Sequence, residues 1–275
     1  MLQGVIRVGP AGYPEGSRGP TDAVVRAASM GFDALEMQFV RQARMAEDRA
    51  REAGAKAKEL GVLLSAHAPY YINFNSSNRE TVGKSHDWVM KTARIAHQLG
   101  AAIIVVHAAA YSGGSAEAAT EAVVAGAERC RSAMDLEGIG EVLLGLETMG
   151  KKGTWGTVRE IGEVMRRVDG VVPVIDFAHL HARSGGGLRR EEDFASVLDQ
   201  VTALHKGRVH CHFSCIEYTE AGERRHLPLT EEQPDFSLLV RALQGRKIEM
   251  TLISETPDPV EGAAMMMGQL SGMRS

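Results

Sequence analysis

Eight short apolar runs alternate with longer segments of helical periodicity along 275 residues. The runs are VIRVG (5–9), ALEMQFV (34–40), LLSAHAP (63–69), IIVVHAA (103–109), VLLGLET (142–148), VVPVIDF (171–177), RVHCHFS (208–214) and EMTLISET (249–256). Runs so nearly unbroken imply parallel strands covered on both faces. The segments between them, such as AEDRAREAGAKAKELG and RETVGKSHDWVMKTARIAHQLG, carry helical spacing and stop at glycine. Eight β-α units predict an α/β fold, a (β/α)8 TIM barrel forming a single domain over residues 1–275, with a doubly wound open sheet as the structural alternative. No linker, low-complexity tract or repeat interrupts the pattern. The stretch CIEYTEAGERRHLPLTEEQ (215–233) reads as a long loop after the seventh strand, of the kind that is functional or mobile.

Composition narrows the setting. With 44% hydrophobic and 24% charged residues the chain can bury a sizeable core. No apolar run approaches the ~20 residues of a membrane-spanning helix, and the opening MLQGVIRVGPAGYP lacks the basic-then-apolar pattern of a signal peptide. Cys130, Cys211 and Cys215 do not make a disulfide framework, so a reducing cytoplasm and no membrane partner are expected. A net charge of −4 points to neither DNA nor a membrane, although a local basic rim could still bind phosphates.

Barrel chemistry gathers at the C-terminal ends of the strands. The third run ends at His67, the fourth at His107, the fifth at Glu147, and the sixth at Asp176 with His179 just beyond. The seventh carries His210 and His212, the eighth ends at Glu255, and His226 lies in the long segment after the seventh. Any one of these alone reads as a hydrogen-bonded rim residue or a helix cap. Together, converging carboxylates and imidazoles would repel one another or lie unsatisfied unless a cation neutralised them. The mixed donor set suits zinc, manganese or iron, and the lack of convergent thiolates argues against an iron–sulfur cluster. His210 and His212 share a face of their strand, so parity does not choose between them; His212 is nearer the C-terminal end and is favoured. His86, His97 and His205 fall in helical segments and read as surface or packing residues. Cys211 and Cys215 lack the second pair of a zinc knuckle, and YSGGS (111–115) lacks the lysine of a phosphate loop.

HAPYYINF (67–74), followed by VVHAAAYSG, GLETMGKKG and VIDFAH in that order and spacing, resembles the endonuclease IV family of apurinic/apyrimidinic endonucleases, over about residues 5–260. The resemblance implies a xylose isomerase-like TIM barrel, a monomer that hydrolyses the phosphodiester 5′ to abasic sites in double-stranded DNA during base excision repair. It implies two or three Zn2+ ions, with manganese or iron able to stand in. His67, His107 and Glu147 would hold the first. Glu147, Asp176, His212 and Glu255 would hold the second, Glu147 bridging, and His179 and His226 the third. Paired cations neutralise charge on phosphoryl oxygens and supply a nucleophile at neutral pH. Glu147 and Glu255 are then the catalytic carboxylates, Glu255 orienting the nucleophile. Tyr70, beside His67, could stack where the base is missing or pack against a helix. Gln38, Arg41, Lys151 and Lys152 are DNA-contact candidates from their places in βα loops.

The chain departs from that family twice. HFSCIE stands where the family has His-x-Asn-Asp/Glu-Ser/Ala-Lys, and Arg224 stands where the aspartate of an Asp-x-His pair would precede His226. Arginine stays protonated and cannot ligate a metal. Glu223, three before His226, is the nearest carboxylate and would serve only if the segment turned suitably; Arg224 and Arg225 would then be left to grip phosphate. His181 matches no ligand position and reads as a loop residue. A rival reading is a single-metal sugar isomerase or epimerase on a similar barrel. It needs only Glu147, Asp176, His212 and Glu255, and it leaves HAPY and the additional histidines without a role. A metal-bound scaffold without catalysis is disfavoured by the number of acid/base-capable groups that converge.

Overall fold

The structure is a computed structural model and describes residues 4–272. Its elements follow the alternation of the sequence: β1 (Ile6–Pro10), α1 (Pro20–Ser29), β2 (Ala34–Gln38), α2 (Glu47–Leu60), β3 (Leu63–His67), α3 (Arg79–Leu99), β4 (Ile103–Val106) and α4 (Ala116–Leu136). Then come β5 (Leu143–Glu147), α5 (Val158–Met165), β6 (Val171–Asp176), α6 (Phe177–Arg183), α7 (Glu191–Leu204) and β7 (Val209–Phe213). A hairpin, β8 (Cys215–Thr219) and β9 (Gly222–Leu227), precedes α8 (Phe236–Ala242), β10 (Met250–Ser254) and α9 (Pro259–Ser271).

Local chemistry sets the boundaries. Asn78 caps α3 by accepting from the Glu80 amide, and Gly100, at φ 64°, ends it in the left-handed region. Thr157 and Glu160 form a reciprocal capping box at the start of α5.

Eight parallel strands stand in the order β1–β10–β7–β6–β5–β4–β3–β2. Between β1 and β2 the barrel closes through two backbone bonds, Asp33 N–H to Val8 O at 3.2 Å and Gly12 N–H to Glu36 O at 2.9 Å. The seam is tight: a Cβ on Gly9 would lie 1.8 Å from the Ala34 carbonyl oxygen, so a side chain has no room there. This is the expected (β/α)8 barrel. The main core, with Leu35, Ile104, Leu144, Phe213 and Leu252, lies between sheet and helices. Pore-facing residues of the opposite parity, Ile103, Val105, Val172 and Val174, form a smaller apolar cluster of their own. These line part of the pore together with Ser65, His210 and Thr251, while the carboxylates of Glu147, Asp176 and Glu255 gather toward the strands' C-terminal ends.

Two expectations are corrected. Segment 215–233 is not an irregular loop. Strands β8 and β9 pair antiparallel from Cys215↔Leu227 to Thr219↔Gly222, and a 3-10 turn follows at Leu229–Glu231. Its sequence hides this because β9 reads GERRHL, with exposed arginines and no apolar run. Glu217 faces Arg225 while Tyr218 faces Glu223, which leaves Arg224 as the extra residue of a β-bulge. Nor is His181 a loop residue: it is buried in α6, with Nδ1 3.2 Å from the Leu188 carbonyl oxygen. Among the described residues no helix is long and apolar enough to cross a membrane.

Candidate metal centre

β3, β5 and β6 end on His67, Glu147 and Asp176, His107 and Glu255 directly follow β4 and β10, and His212 is the penultimate residue of β7. Parallel register sets Asp176 beside His212. At the centre is Glu147, whose side chain is fully buried. Its Oε2 lies 2.8 Å from His107 Nε2 and 3.2 Å from His67 Nε2. Its Oε1 lies 3.2 Å from His212 Nδ1 and 3.3 Å from His179 Nδ1. His212 Nδ1 is also 3.4 Å from Glu255 Oε2. Two groups able to hold an ion therefore share Glu147: His67–His107–Glu147 and Glu147–Asp176–His212–Glu255. Asp176, His179 and His226 make a third such group.

The charges in this cluster are tightly interdependent. Burial pushes Asp176 above the usual carboxylate range. Burial acts the same way on Glu147, but the neighbouring charges of His107 and His212, with hydrogen bonds from His107 and His179, outweigh it and hold Glu147 well below that range. Glu255, also opposed by burial, is drawn down to about 2, chiefly by His212. Against burial, the hydrogen bond and charge of Glu147 carry His67 up to about 9. His179 and His212 likewise rise well above the usual imidazole value, despite burial, on the charges around them. In effect imidazolium protons balance the buried carboxylates, a task that a divalent cation performs with the same donors.

Among the described residues two buried side-chain oxygens have no hydrogen-bond partner, Asp176 Oδ2 and Glu223 Oε2. Asp176 Oδ1 caps α6 by accepting from the His179 amide at 2.7 Å. One oxygen of this carboxylate starts a helix, and the other, 3.6 Å from His179 Nδ1, could take an ion. His67 Nδ1 lies 2.8 Å from the Ala68 carbonyl oxygen, and His179 Nδ1 lies 2.9 Å from that of Thr148. A ring nitrogen facing a carbonyl must donate, so each Nε2 is the one that would offer a lone pair to an ion once the ring gives up a proton. His179 Nε2 is 3.4 Å from Glu223 Oε2, and the His226 ring is 5.3 Å from that of His179.

The bulge explains how Glu223 arrives here. On a regular strand, residues 224 and 226 would share a face; one extra residue shifts the alternation and returns Glu223 to the side of His226. Arg224 and Arg225 turn outward and pair with Glu217, Arg225 Nε at 2.6 Å. The carboxylate lies against bare backbone, since a Cβ on Gly150 would fall 2.4 Å from Glu223 Oε2.

Residues 24–271 match the sequence profile of the xylose isomerase-like TIM barrel family. The chain belongs to this family. An uncharacterized protein of Methanocaldococcus jannaschii is 32% identical over 265 residues, 94% of either chain. A probable endonuclease 4 of Mycobacterium tuberculosis is 28% identical, covering 86% of this chain and 95% of its own. Among solved structures, endonuclease IV from Thermus thermophilus aligns with a TM-score of 0.76 at 19% identity, over 97% of this chain and 99% of its own. A D-tagatose 3-epimerase-like protein aligns at 0.72 and 17%, over 96% and 98%. These likenesses show the xylose isomerase-like barrel; hydrolases and epimerases alike are built on it.

Around the mouth of this xylose isomerase-like barrel the other candidates divide. Tyr70 is 48% exposed. Its ring lies 4.7 Å from that of Tyr71, which in turn leans on Trp88 of α3. Arg41, Lys151 and Lys152 are exposed on the loops after β2 and β5. Gln38, the last residue of β2, is half-buried. Its Nε2 donates to Glu255 Oε1 at 3.1 Å and to Glu36 Oε1 at 3.3 Å. Glu36 is the residue that sequence reasoning passed over. It is fully buried, with His210 Nε2 at 2.9 Å. Its signal was there, a carboxylate in the middle of the apolar run ALEMQ.

Proposed function

We propose that this chain is a metal-dependent apurinic/apyrimidinic endonuclease, hydrolysing the DNA phosphodiester 5′ to abasic sites in base excision repair. The observation that carries the reading is the sharing of Glu147 between two ligand groups, with a third group alongside. A single-ion isomerase or epimerase would use Glu147, Asp176, His212 and Glu255. It would have no use for His67 and His107 on the other oxygen of the same carboxylate. The relatives named probable endonuclease 4 point the same way.

Zinc fits the donors: imidazole and carboxylate atoms, no thiolate, and two orphaned buried oxygens. In this reading His67, His107 and Glu147 would hold one ion, Glu147, Asp176, His212 and Glu255 a second, and His179 and His226 a third, with Asp176 in reach and Glu223 beside His179 as a further donor. Ions so held lower the pKa of water and neutralise phosphoryl oxygens. The chain's own groups do the rest. Glu147 fixes the spacing of the centre, and Glu255, its Oε1 tied to Gln38, orients the nucleophile. Tyr70 offers an exposed ring to the gap left by a missing base. Arg41 and Lys151 meet backbone phosphates, and Arg224 and Arg225 do so by exchanging Glu217 for phosphate. We place this enzyme in the cytoplasm, as a monomer.

A DNA duplex carrying a single tetrahydrofuran abasic analogue tests the reading. Incision on the 5′ side of the lesion, abolished by EDTA and restored by zinc, is expected. An enzyme inert on that duplex that interconverts ketoses would contradict it.

A further inference from the structure

Below the centre, Glu36 receives four donors. Ser65 Oγ donates to Oε2 at 2.9 Å and His210 Nε2 at 2.9 Å. His212 Nε2 lies between both oxygens, at 3.2 and 3.3 Å. Gln38 Nε2 donates to Oε1 at 3.3 Å. A carboxylate is the side chain that accepts everywhere and donates nowhere, so this ring of donors matches an ionised Glu36. The match dictates a tautomer. With Nε2–H of His212 committed to Glu36, the nitrogen left to exchange its proton for an ion is Nδ1, which faces Glu147 and Glu255. Through Gln38, the same carboxylate also holds Glu255 Oε1.

Glu36 therefore touches two members of the second ligand group, directly or through one side chain, and it reaches the first group only at Glu147, the carboxylate that both groups share, through His212. We infer that Glu36 is the positioning residue of a single ion position, the one framed by Glu147, Asp176, His212 and Glu255. It acts by fixing the His212 tautomer and, via Gln38, the angle of Glu255. Glu36, His210 and His212 also lie close enough to hold an ion themselves. That arrangement would strip the proton from His212 Nε2 while Nδ1 serves the centre above, leaving a doubly deprotonated ring, and the donor ring around Glu36 argues for the positioning role. The inference rests on the metal-binding part of the function proposed above, not on the substrate.

The test is chelator competition on the purified, metal-loaded full chain, with ions counted by mass spectrometry. Glu36→Gln presents two N–H donors to neighbours that also donate. It should weaken one ion per chain by about 10–100-fold and leave the others unchanged. Gln38→Ala, which cuts only the link to Glu255, should weaken that same ion less. Ser65→Ala, which removes a donor but keeps the carboxylate, should leave all ions in place. Ring 15N shifts of the zinc-loaded protein should show His212 protonated at Nε2. Unchanged affinity in Glu36→Gln overturns the inference. So does equal loss of every ion together with a lowered melting temperature of the metal-free chain, or a metal-bound Nε2. A chain that fails on abasic DNA but loses one ion selectively in Glu36→Gln would contradict the proposed function and uphold this inference.

Discussion

Glu147 places one carboxylate among four imidazoles, His67 and His107 at one oxygen, His179 and His212 at the other. In the metal-free chain His67 keeps its proton up to about 9, and His179 and His212 are likewise raised, because the carboxylates around them reward a positive charge. A metal ion needs the unprotonated ring. The sign follows: loading below about 9 must expel protons, so affinity rises with pH and falls as acid refills the rings. Titration calorimetry with zinc in buffers of different ionisation enthalpy should report net proton release near neutral pH, shrinking toward that upper value. A heat independent of the buffer would contradict the protonation pattern. At this scale most of the site is readable from sequence, because His67, His107, Glu147, Asp176, His212 and Glu255 stand where an apolar run stops. Glu36 was not, since it sits inside its run, where a strand buried on both faces normally has no charge.

Among the elements, the barrel strands were readable for the physical reason that both of their faces are covered, which forces unbroken apolar runs. The hairpin was not. Its strands are short and rich in charge, and a bulge breaks the alternation that would have marked them. The same bulge answers the loss of an aspartate two residues before His226. It brings Glu223, one position earlier, within 3.4 Å of His179 Nε2, and turns Arg224 outward to Glu217. Glu223→Ala should therefore cost one ion per chain by more than about 100-fold in affinity, since even residues behind the ligands cost 10–100-fold. The ions at Glu147 should stay. Metal counts after dialysis against a weak chelator check this; an unchanged count would remove Glu223 from the centre.

On the scale of the whole molecule, the barrel explains where chemistry happens but not which chemistry. A cavity of about 560 Å³ opens at the opposite mouth, lined by Leu63, Ser65, Val172, Arg208, His210 and Thr251 among others, and it has no carboxylate on its walls. The carboxylates and imidazoles of the centre lie toward the C-terminal ends of the strands instead, as in other barrels of this kind. An endonuclease and an epimerase-like protein share this fold, so the ring of strands cannot separate the two chemistries. The number of ions can. The central claim is that Glu147 unites more than one metal position in a single active centre. Counting tightly bound metal per chain on the purified protein by mass spectrometry tests it most directly. The account predicts two or three ions, with more than one lost in Glu147→Ala; a single ion, retained by variants lacking His67 and His107, would contradict it.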